Sequence, residues 1–140
     1  MAITPHRVAV IQWPVKDVEK SLKWYQELLG VQLSFPYTPG DPAAWLCIGD
    51  VGFGLVQAED IPRLQFTDSQ GKLQPIVQLQ VDEIQKVYRH LQNSGVTVSE
   101  MRYIEDGGYS FSFTDPDGNH VSLWGGWPSP DEERPEQAMS

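Results

Sequence analysis

The sequence has a single cysteine, Cys47. One thiol can form no disulfide within the chain and no cysteine-based zinc cluster, so neither holds this protein together. Basic residues are scarce: 10 Lys and Arg stand against 19 Asp and Glu, for a net charge of -9. Nucleic-acid binding needs a basic face, and this chain does not provide one. Part of the negative charge sits in the final residues, where Asp131, Glu132, Glu133 and Glu136 outnumber Arg134. No apolar run reaches membrane-spanning length, and the opening Met-Ala-Ile-Thr-Pro-His-Arg has no apolar signal region. These absences predict a soluble, cytoplasmic protein with no membrane or nucleic-acid partner.

What the chain does contain is alternation. Phe111 and Phe113 alternate with Ser112 and Thr114, and Val121 and Leu123 alternate with His120, Ser122 and Trp124. This is the period of two half-buried strands. Between them Asp115-Pro116-Asp117-Gly118 carries turn chemistry at each position. A strand with one apolar face and one face of His, Ser and Trp covers a core on one side and can line a cavity on the other.

Residues 7–15 alternate in the same way and predict a strand. Asp17 is the expected N-cap of a helix with Val18, Leu22, Tyr25, Leu28 and Leu29 on its apolar side, stopped by Gly30. Strands are expected over residues 31–35, 44–48 and 53–57. A turn at Gly49-Asp50-Val51-Gly52 joins the last two, and residues 36–43 form a loop. The stretch 58–74 is polar and aperiodic and predicts a linker. The order then repeats: a strand over 76–81, a helix from Asp82-Glu83 with Ile84, Val87, Tyr88 and Leu91 on its apolar side, a stop at Gly95, and strands over 96–98, 109–113 and 119–124. Aligning the halves sets Val10 on Ile76, Gln12 on Gln78, Val15 on Val81, Asp17 on Glu83 and Gly30 on Gly95. The expectation is one domain over residues 1–127, an α+β fold of two βαβββ modules at about 7–57 and 75–125. Residues 128–140 read as a disordered, acidic, Pro-rich tail.

The duplication, the Lys23-Trp24-Tyr25-Gln26-Glu27-Leu28-Leu29-Gly30 helix end and the Asp115-Pro116-Asp117-Gly118-Asn119 turn together resemble the vicinal oxygen chelate superfamily. That superfamily contains glyoxalase I, extradiol dioxygenases, fosfomycin-resistance enzymes and bleomycin-resistance proteins. The resemblance implies that each half curls its sheet into a cup and carries metal ligands on the cup-facing strands. In this chain the four implied ligand places fall on Val10, Gly54 (within one residue), Ile76 and Ser122. A divalent ion needs three or four N, O or S donors, and these residues offer one hydroxyl. No metal and no cofactor are therefore expected.

By alternation the cup-facing set is Val10, Gln12, Pro14, Gly54, Val56, Ile76, Gln78, Gln80, His120, Ser122 and Trp124. Gln12 and Gln78 occupy equivalent places in the halves; they either orient a carbonyl or amide in a pocket or bond one another. Trp124 and Trp127, with Trp45, Phe35 and Tyr37, are candidates for stacking a planar ligand, whereas Trp13 and Trp24 read as packing. Tyr109, after Gly107-Gly108, is expected to close over a ligand, and Glu100 and Glu105 to form a negative rim. His120 is the histidine suited to acid–base work, but no orienting carboxylate accompanies it and a rim position is the plainer reading. The Asp115–Asn119 turn lacks the glycine placement and bidentate Glu of a calcium loop.

The binding set is thus Gln12, Tyr37, Trp45, Gln78, Tyr109, His120, Ser122 and Trp124, with no catalytic residue assigned. The leading expectation is metal-independent binding of a small planar or cationic molecule, with a homodimer implied by the resemblance to the bleomycin-resistance branch. The alternatives are a lyase, isomerase or dioxygenase of the same superfamily, or a non-catalytic module acting through partner proteins.

Overall fold

A computed structural model describes residues 3–129 of the chain. Between Pro62 and Arg63 the chain divides into two compact units, inside the stretch read as a linker.

In the first unit, β1 (Val10–Val15) leads into α1 (Val18–Leu29), then β2 (Gln32–Leu33), β3 (Ala43–Ile48) and β4 (Val51–Gln57). The sheet runs β1-β4-β3-β2, with β1 and β4 parallel and the other pairs antiparallel. One face is the core: Trp13, Val15, Ala44, Leu46, Phe53 and Leu55 are buried together with Val18, Leu22 and Tyr25 of α1. Trp13 Nε1 donates to Tyr25 Oη at 2.9 Å, so the buried indole N–H is satisfied. Trp13 therefore packs as the sequence suggests, and Trp24 stacks edge-on against Tyr25 at 4.8 Å. Asp17 caps α1 through Lys20 N, and Gly30 closes it in the left-handed region at φ 65°.

In the second unit the strands are β5 (Gln65–Thr67), β6 (Leu73–Pro75), β7 (Gln78–Gln80), β8 (Thr97–Val98), β9 (Arg102–Ile104), β10 (Gly108–Thr114) and β11 (His120–Trp124), with α2 (Ile84–Asn93) between β7 and β8. The main sheet runs β7-β11-β10-β8, β9 also pairs with β10, and β7 and β11 are parallel. The strand order repeats that of the first unit, with β1, β4, β3 and β2 answered by β7, β11, β10 and β8. This is the duplication expected from the sequence, in a mixed α+β chain. Phe111, Phe113, Val121, Leu123 and Val77 are buried on one face, along with Ile84 and Leu91 of α2. In the turn, the buried Asp115 carboxylate accepts from the backbone N–H of Asp117 and Asn119 and from Asn119 Nδ2, at 2.9 to 3.0 Å.

Three expectations need correction. The stretch 58–74 is not structureless: β5 and β6 pair as a hairpin that begins inside it. The Asp68 carboxylate organises its turn, accepting from Gln70 N, Lys72 N and Gln74 Nε2 at 2.9 Å each. β9 was not expected at all. The strand over 76–81 contracts to Gln78–Gln80, which leaves Ile76 outside it. The expected tail lies outside the described residues from Pro130 onward.

Candidate functional site

Strand register decides which side chains share the open face of the second sheet. Gln78 pairs with Ser122, and Ser122 with Ser112. One step along, Gln80 pairs with Trp124, Trp124 with Ser110, and Ser110 with Arg102. Toward the turn, His120 pairs with Thr114, and Thr114 with Thr97. The result is a sheet face of hydroxyls and amides bordered by an indole.

At the Trp124 end this face sinks into a depression of about 380 Å³ lined by Gln78, Ile104, Gly107, Gly108, Ser110, Trp124 and Trp127. Trp124 Nε1 donates to the Gly107 carbonyl at 2.6 Å, which fixes the indole against the β9–β10 loop. Trp127 stands almost perpendicular to it, ring centres 5.0 Å apart and planes at 85°, and is 73% exposed. Such a corner stacks a planar ring on one indole and receives its edge on the other. Gln78 Nε2 donates to the buried Ser122 Oγ at 3.0 Å, so the amide is held in a set plane. The loop itself is tight: Gly108 has φ 76°, and a β-carbon there would run into the Gly126 carbonyl. Glycine is required at that place.

The structure gathers only part of the predicted set. Gln78 and Trp124 line the depression, and Ser122 lies buried behind Gln78. His120 is on the same face at the far end; its Nδ1 is 3.5 Å from Thr114 Oγ1, and among the described residues no carboxylate bonds to it. Tyr109 does not cover the depression. Its register partner is Tyr103, and the two rings meet at 4.7 Å on the face that also buries Phe111 and Phe113. Gln12 and Trp45 belong to the first unit, where both share one row with Gly54. Tyr37 is separate from that row; it lines a surface hollow of about 340 Å³ with Lys16, Asp17, Asp41 and Gln57. Gly107 and Gly108 line the depression as the loop expected at the mouth, whereas Ile104 and Ser110 were not expected there. Alternation from Phe111 already put Ser110 and Ser112 on the polar face, so the signal for Ser110 was present.

The implied metal places do not fit a divalent ion. Val10 and Ile76 are hydrocarbon and exposed. Ser122 Oγ is already bonded to Gln78. At Gly54 the Trp45 ring takes the space: a β-carbon on residue 54 would lie 2.7 Å from Trp45 Cε3, so a longer side chain has no room. Register supports the equivalence of the last two, since Gly54 pairs with Gln12 as Ser122 pairs with Gln78. Among the described residues no three His, Cys, Asp or Glu side chains are grouped to hold a metal. No helix among them is long and apolar enough to cross a membrane.

Solved structures share this fold at low identity. FosX, a genomically encoded fosfomycin resistance protein from Listeria monocytogenes, superposes with a TM-score of 0.70 at 17% identity, covering 88% of this chain and 93% of its own. Lactoylglutathione lyase from Agrobacterium tumefaciens gives 0.65 at 17% identity over 87% and 95%. An integron cassette protein from the mobile metagenome of the Halifax Harbour sewage outfall gives 0.66 at 20% identity over 86% and 99%. No curated protein sequence matches. The family model of the glyoxalase/bleomycin resistance protein/dioxygenase superfamily matches residues 7–123, and the chain belongs to that superfamily.

Proposed function

We propose that this protein binds a small planar molecule, without a metal ion, in the depression between Trp124, Trp127 and Gln78, and acts by sequestering it. The observation that carries this reading is the pair of perpendicular indoles beside an oriented amide. The family's metal places, filled by Val10, Gly54, Ile76 and Ser122, argue the same way, because they supply no donor set. A point mutant of FosX from Listeria monocytogenes has been solved with Mn(II) and 1S,2S-dihydroxypropylphosphonic acid. A phosphonic acid would require cationic or metal partners, and among the described residues no Lys or Arg lines the depression. A drug-resistance role by sequestration, a cytoplasmic setting and a homodimer all belong to this proposal; the homodimer rests on the family resemblance.

A panel of planar aromatic compounds, titrated into protein freed of metal by chelation and checked by elemental analysis, tests the reading. Tryptophan quenching that saturates without metal, and that weakens at least about tenfold in Trp127→Ala, is the expected result. Binding that appears only after one equivalent of manganese, zinc or nickel is restored would overturn it and favour a metal-dependent enzyme.

A further inference from the structure

We infer that the ligand of this depression is an uncharged planar compound with a carboxamide or lactam edge, an inference that rests on the binding reading above. Three observations lead to it. The Trp124 indole N–H is engaged by the Gly107 carbonyl, so Trp124 offers a ligand its ring rather than its donor. With Trp127 perpendicular to it, the corner selects a flat ring.

The polar readout then falls to Gln78 and Ser110. Gln78 gives one N–H to the buried Ser122 Oγ, which leaves its carbonyl oxygen and second N–H for a partner that presents a donor beside an acceptor. A carboxamide or lactam edge does so. A carboxylate presents acceptors alone, and an amidinium donors alone.

Charge points the same way. None of the described lining residues is charged. Glu105 and Asp106 stand exposed in the loop between Ile104 and Gly107, and Arg102 is in register with Ser110 but does not line the depression. An ion entering this site would lose water against two indoles and Ile104, with no counter-ion among the described lining residues.

The test is calorimetry with four compounds on one ring system: indole-3-carboxamide, its N,N-dimethyl derivative, indole-3-carboxylate and indole-3-carboxamidinium. The carboxamide is expected to bind at least about tenfold more tightly than the other three. Gln78→Glu should move the preference to the amidinium, a readout that a merely destabilised protein would not give. Trp127→Ala should weaken all four. Carboxylate binding equal to that of the carboxamide, or carboxylate binding lost in Arg102→Ala, would overturn the inference. Four equal affinities that all fall in Trp127→Ala would leave the binding site standing and remove only the edge chemistry. No binding by any of the four, or binding indifferent to Trp127→Ala, would remove both.

Discussion

A β-carbon on residue 54 would stand 2.7 Å from Trp45 Cε3, closer than real β-carbons approach a ring, so the indole can lie across this strand only while residue 54 is glycine. Gly54→Ala must push the ring off the sheet or bend the strand. We expect a loss of about 1–3 kcal/mol in chemical denaturation, together with a red-shifted tryptophan emission as the 38%-exposed Trp45 gains water. An unchanged midpoint and spectrum would show that the ring yields freely. At this scale the sequence was readable where alternation is strict: Gln78, Ser122 and Trp124 share one face as expected. It misled at Tyr109, because a glycine-rich loop suggested mobility while the strand parity of Phe111 and Phe113 already assigned Tyr109 to their side. The contact between Trp45 and Gly54 is invisible in sequence, since it joins residues on two strands whose register depends on the turn between them.

The two helices start differently, and their stability should follow. Asp17 adopts extended geometry and accepts a bond from Lys20 N, so Asp17→Ala should cost about 1 kcal/mol. Glu83 sits at the matching place of α2 in the left-handed region at φ 52° and caps nothing. Its 2.7 Å contact with Lys86 is a surface pair of little weight. Glu83→Gly should therefore raise stability by up to about 1 kcal/mol, and thermal melts of the two variants check both signs. The aligned positions are equivalent in sequence but not in chemistry, because a capping role depends on backbone angles that sequence spacing does not specify. The β5–β6 hairpin escaped sequence reading for a related reason: its turn is held by one carboxylate rather than by apolar alternation. The Gln74 side-chain amide, then the N–H groups of Lys72 and Gln70, hold the Asp68 carboxyl below its ordinary value of 3.8. A depressed folded-state value means that the contribution is fully present above about pH 4 and is lost as the pH falls through the lowered value. Protection factors of the amides in residues 65–75, taken against intrinsic exchange at each pH, should fall on that acid limb, and Asp68→Asn should remove the fall. Protection factors that stay constant down to the pH at which the Asp68 carboxyl is seen to protonate would contradict this.

Across the whole chain, a net charge of -9 implies self-repulsion. Raising sodium chloride from about 10 mM to about 150 mM shortens the screening length from roughly 30 Å to 8 Å. The melting temperature should rise with it; a fall would point to attractive pairs outweighing repulsion. The duplication is the whole-chain feature most legible in sequence, because Gln12 and Gln78 recur at the same distance from their helices and prove to occupy the same row of their sheets. Yet that row reads Gln12, Gly54, Trp45 in one unit and Gln78, Ser122, Ser112 in the other. The difference has a consequence for redesign. With the Trp45 ring where it lies, position 54 accepts only a bare backbone, so a carboxylate can be installed there only together with a smaller residue at position 45.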